Sequence, residues 1–283
     1  MEIARSVADL RRLIALWRKG DERVGLVPTM GALHQGHMAL VRAARAECDR
    51  VVTSIFVNPK QFAPTEDLGS YPRREAADLE MLQAAGVDLV FIPDLDEMYP
   101  PNFSTTVRVT GLTEGLCGAH RAGHFDGVAT VVTKLLIQCL PDAAYFGEKD
   151  YQQLMVVRRL ARDLDIPVHI AGVPTVRDAD GLALSSRNIY LSAEERRIAS
   201  NLARVLRTIA MALARDPTAI AREIARGSAA LQQAGFAVEY LEIRESETLA
   251  AVTSEATTRS RVCAAVRLGK TRLIDSMPIA LAA

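Results

Sequence analysis

Net charge is missing from this sequence of 283 residues: 34 Lys and Arg balance 34 Asp and Glu. Bulk electrostatic attraction to nucleic acid or to an anionic membrane is therefore not expected, although a local basic site for a small anion stays open. Cysteine is scarce. Cys48, Cys117, Cys139 and Cys263 are scattered and form no CxxC pair. A disulfide framework is thus not expected, and a reducing cytoplasm is. No apolar run approaches the roughly 18 residues of a membrane span. The opening MEIARSVADLRRLIALWRKG carries charges throughout and lacks the apolar core of a signal peptide, so it reads as a docked amphipathic helix. Repeats and low-complexity segments are missing too. What remains is a soluble globular composition, 49% apolar and 24% charged, long enough for one large domain or two ordinary ones.

The chain then alternates. Residues 23–27 are a short apolar run ending at Pro28, expected to be a buried strand. Residues 36–49 place Met38, Leu40, Val41 and Ala44 at helical spacing. Residues 51–57 (VVTSIFV) form an unbroken β-branched run, as in a strand covered on both faces. A helix over 73–85 closed by Gly86 and a strand over 87–92 follow. Residues 104–109 alternate like an edge strand. After a glycine-rich passage come a helix over 128–140, a strand over 142–146, a helix over 150–163 and a strand over 168–173. This order implies βαβ units and a mostly parallel sheet, with ligands beyond the carboxyl ends of its strands. The pattern changes near Pro174. A long helix over 192–215 opens with a capping box of Ser192 and Glu195. A second helix opens at Asp216-Pro217. Three strands follow over 237–243, 261–267 and 271–276, the last two joined by a two-residue hairpin turn at Gly269-Lys270. The expected organisation is a domain of residues 1–175 and a smaller α+β domain of residues 176–283.

Several polar turns sit after strands. Residues 27–37 (VPTMGALHQGH) place Gly31 and Gly36 beside His34 and His37, three residues apart at a helix entrance. The glycines allow close backbone approach, and the helix start is expected to offer free N–H groups to an anion. Either histidine can donate to a phosphate or protonate it. The turn is neither a Walker loop nor GxGxxG, and an ordinary βα turn with two exposed histidines reads equally well. In FGEKD at 146–150, Lys149 can neutralise phosphate and Asp150 can cap a helix or accept from a ribose; Gln152 and Gln153 add neutral donors. In DGLALSSRN at 180–188, Ser185, Ser186 and Arg187 are a compact set of phosphate donors, or part of a solvated linker. Asn58, Gln61 and Phe62 place amides beside an apolar ring, which suits a small hydroxylated carboxylate. Cys117, His120 and His124 have a spacing that hints at zinc. A fourth ligand is lacking nearby, and a glycine-rich loop around Arg121 suits an anion equally well. Asp78 can be linked to Mg²⁺ through phosphate or be a surface carboxylate near a helix N-terminus.

Seven stretches together resemble the pantoate–β-alanine ligase family: PTMGALHQGH at 28–37, SIFVNPKQF at 54–62, YPR at 71–73, GHFDGV at 123–128, FGEKDYQQL at 146–154, DGLALSSRN at 180–188 and RLGKTRLID at 267–275. They span most of the chain in a fixed order. The resemblance implies an α/β fold: a Rossmann-like parallel sheet with helices on both faces, plus a smaller C-terminal α+β lid domain, in the nucleotidyltransferase superfamily. The stretch His34-Gln35-Gly36-His37 looks like that superfamily's HxGH signature. The implied reaction joins (R)-pantoate to β-alanine through a pantoyl adenylate, with release of pyrophosphate and AMP. The resemblance further implies Mg²⁺, a homodimer and a cytoplasmic location, with no nucleic acid or membrane partner.

It also implies roles. Met30, Gly31, Ala32, Leu33, His34, Gln35, Gly36 and His37 line the ATP site, with His37 as catalytic proton donor and His34 beside it. Gly147, Glu148, Lys149 and Asp150 contact the nucleotide, and Lys149 stabilises the α-phosphate. The backbone of Val176 meets adenine, and Leu184, Ser185, Ser186 and Arg187 clamp the phosphates. Gln61 and Gln153 hold pantoate, and Gln61 helps place β-alanine. Asp78 matches a carboxylate linked to the metal. Ala77 stands where some members carry a second acid, and Leu184 replaces a frequent methionine. Residues 250–260 match no usable pattern. Two other readings keep the same turn: a nucleotidyltransferase that joins NMP to a phosphorylated acceptor, and a non-catalytic nucleotide-binding module.

Overall fold

A computed structural model describes residues 1–64 and 66–281. Its elements run β1 (Glu2–Ala4), α1 (Val7–Arg18), β2 (Val24–Thr29), α2 (Gln35–Glu47), β3 (Arg50–Ile55), α3 (Glu75–Ala84), β4 (Leu89–Phe91), α4 (Leu95–Met98), α5 (Cys117–His120), α6 (His124–Cys139), β5 (Ala143–Gly147), α7 (Tyr151–Asp163) and β6 (His169–Val173). They continue with α8 (Ala193–Ala199), α9 (Asn201–Arg215), α10 (Ile220–Gln233), β7 (Ala237–Glu245), β8 (Ser260–Leu268) and β9 (Thr271–Pro278). Two compact units result. One comprises Met1–Thr110, Arg121–Gly147 and Val156–Pro174; the other comprises Gly111–His120, Glu148–Met155 and Thr175–Ala283.

The first unit is built on a six-stranded sheet in the order β1-β4-β3-β2-β5-β6. Every pairing is parallel. The order reverses between β2 and β5, so their carboxyl ends lie side by side at the switch point, where such sheets bind ligands. The β3 run earns its place at the centre: after Arg50, every residue to Ile55 is buried. Each Val or Ile so buried is worth about 1.5–3 kcal/mol. On one face, Val51, Ile55, Val90 and Tyr145 pack with Met38, Val41 and Ala44 of α2 and Leu82 of α3.

The second unit carries the antiparallel sheet β7-β8-β9. Ile209 and Leu213 of α9 and Leu231 of α10 pack with Leu241, Val262, Ala264 and Leu273 of its strands. The turn at Gly269-Lys270 joins β8 to β9 as expected, with Leu268 opposite Thr271 and Gly269 at φ +54°.

Five local expectations change, each for a physical reason. Pro28 does not stop β2, which runs on to Thr29. Pairing with β5 involves only Gly25 and Leu26, so the missing N–H of Pro28 breaks no ladder there. Residues 104–109 form no strand; Val107 instead donates its N–H to Thr130 Oγ1 of α6 at 3.0 Å, so the segment lies on a helix without a ladder partner. The opening helix is preceded by β1, which pairs with β4. The expected helix over 192–215 is two helices with a break at Ser200, whose hydroxyl donates back to the Arg197 carbonyl at 3.3 Å. The following helix starts at Ile220. Pro217 pushes Asp216 out of the helical region, to φ −134° and ψ 85°, and so ends α9. The capping box at Ser192 is present, with Glu195 Oε2 accepting from Ser192 N at 2.8 Å and Ser192 Oγ from Glu195 N at 3.2 Å.

Candidate active site

In the first unit, the turn between β2 and α2 is held almost entirely from within. Gly31, at φ +79°, donates its N–H to Thr29 Oγ1 at 3.1 Å. Ala32 and Leu33 donate theirs to the two oxygens of Asp78, each at 2.8 Å. His34 donates its N–H to His37 Nδ1 at 3.3 Å, and Gly36 donates to His34 Nδ1 at 3.1 Å. The expectation of free backbone donors at this helix start is therefore corrected for Gly36 and for His34 at the cap; the N–H groups of Gly31, Ala32 and Leu33 before it are bonded as well. What the turn can offer an anion instead is imidazole. Each Nδ1 accepts from the backbone, so in the neutral ring the proton resides on Nε2. The two rings sit 4.1 Å apart at 42°. Local bonds thus give both histidines one tautomer and one orientation.

Asp78, for which the family resemblance suggested a link to metal, is 3% exposed and committed to the turn through both oxygens. It lies in the first turn of α3, 45 and 46 residues beyond its partners. A cavity of about 360 Å³ opens beside it, lined among others by Met30, Gly31, Phe56, Leu68 and Arg73. That volume suits a small carboxylate.

Gln61 ends the 3₁₀ turn Pro59–Gln61. Its Oε1 accepts from Asn58 Nδ2 at 3.0 Å, and its Nε2 lies 3.0 Å from Met30 Sδ. Asn58, 1% exposed, is itself fixed: Nδ2 donates to the Gly127 carbonyl at 3.1 Å and Oδ1 accepts from Tyr99 at 2.8 Å. Burial pushes the Tyr99 phenol up, so it stays a donor. The 3₁₀ turn presses on α6 so closely that a Cβ at Gly127 would lie 2.2 Å from the Lys60 carbonyl oxygen. The neighbour is backbone, with no flexible end to yield. Gly127→Ala is expected to lose about 3 kcal/mol of stability; an unchanged melting temperature would refute so close an approach.

Arg121 and His124, read above as possible anion or zinc groups, are occupied within this unit. Arg121 grips Glu66 with two bonds, at 2.6 and 2.7 Å. His124 places Nδ1 2.8 Å from the Gln61 carbonyl and Nε2 2.9 Å from Arg121. Its Nδ1 is therefore the donor and its Nε2 the acceptor. Burial raises the Glu66 carboxyl, but the Arg121 bonds outweigh it and hold it below the usual range. The stability this pair adds is present above the ordinary carboxylate pKa and is lost as pH falls through the depressed value.

In the second unit, Glu148–Asp150 form a 3₁₀ turn. Lys149 Nζ lies 3.7 Å from Asp150 Oδ2, a loose pair that leaves the ammonium available to an anion. Glu148 is bound by Arg261 at 2.9 Å. The role considered for Gln152 as a ligand donor is corrected: it donates to the carbonyls of Leu112 and Gly115, each at 2.8 Å, and accepts from Cys117 N at 3.0 Å. Gln153 is half-buried beside it. Cys117 Sγ lies 3.2 Å from the Tyr240 hydroxyl.

The loop bearing Leu184 is a tight hairpin. Val176 accepts from Leu184 N at 3.0 Å, and Arg177 and Ala183 form a bridge. Arg196 holds its tip through Asp178 at 2.7 Å and Asp180 at 2.5 Å. Ser185 Oγ accepts from Arg187 N at 3.3 Å and so starts the 3₁₀ helix Ser186–Tyr190. Sequence reasoning noted these hydroxyls. It missed Asp78 as a clamp, Tyr99, and above all Arg261, whose only signal is an arginine near the start of a strand of small and apolar residues.

Residues 2–278 match the family model described as pantoate-beta-alanine ligase. The chain is 55% identical to a pantothenate synthetase of Paramagnetospirillum magneticum over 281 residues, covering 99% of this chain and 98% of that protein. It is 54% identical to one of a Chelativorans species, covering 98% of each. Among solved structures, pantothenate synthetase from Thermus thermophilus superposes with a TM-score of 0.93 at 48% identity, covering 99% of each chain. A pantoate-beta-alanine ligase from Francisella tularensis, complexed with beta-gamma ATP and beta-alanine, gives 0.84 at 33% identity and covers 98% of this chain and 97% of that one.

Proposed function

The chain belongs to the pantoate-beta-alanine ligase family, and from that premise we propose how its residues carry the reaction. It condenses (R)-pantoate with β-alanine, using ATP. A carboxylate is a poor acyl donor, so the pantoate oxygen first attacks the α-phosphorus of ATP. One P–O bond forms, the bond to pyrophosphate breaks, and a mixed anhydride results. The β-alanine amine then attacks the acyl carbon, loses a proton and expels AMP. No enzyme nucleophile is required, and burial pushes the thiols of Cys139 and Cys263 up to about 12, which makes neither one suited to the task.

The task left to the protein is to neutralise charge that grows on the α-phosphate and on pyrophosphate. The observation that carries the reading is the paired histidines, each with Nδ1 bound to backbone and the proton of the neutral ring on Nε2. His37 acts as the proton donor to phosphate and His34 positions it. Gly31, Ala32, Leu33, Gln35 and Gly36 shape the turn around the nucleotide. Lys149 stabilises the α-phosphate, with Gly147, Glu148 and Asp150 beside the nucleoside. The Val176 backbone meets adenine, and Leu184, Ser185, Ser186 and Arg187 hold the phosphates. Gln61 and Gln153 bind pantoate; Gln61, oriented by Asn58, also helps place β-alanine.

Among the described residues no three His, Cys, Asp or Glu side chains are grouped to hold a metal, and each Asp78 oxygen accepts a backbone N–H of the turn. A magnesium caged by protein does not fit these residues, and Mg²⁺ enters this proposal only as the ion carried by the ATP phosphates. We assign Asp78 to the turn. A cytoplasmic homodimer completes the proposal; four free, buried cysteines suit that compartment.

Pyrophosphate exchange into ATP tests the reading. Exchange that requires pantoate, with AMP released only after β-alanine is added, is the expected result. Exchange indifferent to pantoate points instead to a nucleotidyltransferase, and no turnover to a binding module. Within the reading, Gln61→Ala is expected to raise the KM for pantoate about tenfold or more, with the KM for ATP within about twofold. An effect confined to ATP would contradict the assignment.

A further inference from the structure

Arg261 is the second residue of β8 and is 5% exposed. Its guanidinium lies 3.8 Å from the centre of the Tyr151 ring. One terminal nitrogen donates to Glu148 Oε2 at 2.9 Å, and the other to Ser276 Oγ at 3.0 Å. Ser276 Oγ in turn donates to the Glu148 carbonyl at 3.3 Å. Glu148 is thus held by both its side chain and its backbone. The residue before Ser276 repeats the device. Asp275, its side chain 1% exposed, accepts from both terminal nitrogens of Arg177 at 2.6 and 2.9 Å, and its Oδ1 accepts from Ser276 N at 2.8 Å. Arg177 also donates to the Gly181 carbonyl at 3.2 Å.

These bonds join into one array inside the second unit, reaching from Glu148 through Arg261, Ser276 and Asp275 to Arg177. Such an array is a poor way to gain stability. Two part-buried guanidinium–carboxylate pairs must be largely desolvated, and Arg261 Nε has no hydrogen-bond partner among the described residues. Well-packed apolar residues would serve a core at least as well. What the array does accomplish is geometric. Its two ends are the segment that carries Lys149 and the hairpin that bears Leu184 and leads into Ser185, Ser186 and Arg187.

We propose that Arg261 and Asp275 are positioning residues for ATP, tying two nucleotide-binding segments to a single buried anchor on β8 and β9. The inference rests on the ATP roles assigned above. Neither residue touches substrate; they act through Lys149 and through the loop of Ser185–Arg187.

The test compares Arg261→Met, Asp275→Asn and the double variant with the unmodified protein. Melting temperature, ATP affinity by calorimetry, and kcat and KM for each substrate are measured. Each single variant is expected to stay folded, to weaken ATP binding and raise the KM for ATP about tenfold, and to leave the KM for β-alanine within about twofold. Because the two residues share one array, the double variant is expected to lose less than the product of the single losses. Arg261→Lys is expected to recover part of the ATP affinity. Unchanged ATP affinity in a folded Arg261→Met overturns the proposal, and losses that multiply in full overturn the shared anchor. Should Arg261→Met fail to fold, Arg261→Lys and Arg261→Gln are judged by the same criteria. Absence of pantoate-dependent exchange in the unmodified protein would defeat the functional reading alone, since calorimetry reports on the anchor without turnover.

Discussion

Replacement of His37 by alanine is expected to lower kcat by about 10²-fold or more. The variant loses the Nε2 proton donor to the phosphates as charge builds in the adenylation step. It also loses the acceptor for His34 N, now bonded at 3.3 Å. That second loss is a helix-cap effect of about 1 kcal/mol, too small to unfold the protein. His37→Asn separates the two contributions. An asparagine oxygen can accept from His34 N but cannot place a donor where Nε2 stands. Stability is therefore expected to recover in His37→Asn while kcat stays low. Pre-steady-state measurement of adenylate formation is the decisive assay. Near-normal adenylation in the alanine variant would return His37 to an ordinary cap residue.

Replacement of Asp78 by alanine is expected to have the largest effect on the turn itself. Two N–H groups, the part-buried one of Ala32 and the buried one of Leu33, lose the acceptor that Asp78, itself 3% exposed, provides. An orphaned buried donor costs about 1–3 kcal/mol; Leu33 N–H bears that cost in full and the part-buried Ala32 N–H only in part, for roughly 2–4 kcal/mol together. The melting temperature should fall by roughly 5–15 °C. Asp78→Asn is not expected to rescue it, because one of the two facing atoms becomes a donor set against a donor. Gly31 is confined by the same carboxylate: a Cβ there would lie 3.0 Å from Asp78 Oδ2. Without that support the turn should relax and displace both histidines, so activity falls as well. Melting in chelator and without nucleotide distinguishes this account from a metal role. A carboxylate that acted only through Mg²⁺ would leave the metal-free melting temperature unchanged.

Legibility in the sequence followed distance along the chain. The run 51–57 declared a buried strand because its β-branched residues need cover on their faces; the strand formed is Arg50–Ile55, and α2 covers one of its faces with Met38, Val41 and Ala44. The capping box of Ser192 and Glu195 was readable because its partners are three residues apart. The edge strand expected over 104–109 failed for the opposite reason. Alternation marks a half-buried segment, but only a neighbour decides whether that neighbour is a strand or, as here, Thr130 on a helix. The break at Ser200 was hidden because serine is tolerated in helices; its hydroxyl loosens the ladder only where it turns back to a carbonyl.

The site divides along the same line. By itself the sequence determined the strand–turn–helix at residues 27–37, the two histidines and their closeness, since residues three apart at a helix start meet whatever surrounds them. Only the tertiary structure decided what that turn presents. Asp78, Thr29 and the rings themselves take up most of the turn's N–H groups, and this leaves imidazole as the group to offer phosphate. Likewise, only folding brought Arg261 to Glu148, 113 residues away. Nothing in an isolated carboxylate or guanidinium specifies its partner. That choice is made where folding strips most of the water from a charge such as Arg261 and brings an opposite charge within hydrogen-bond reach.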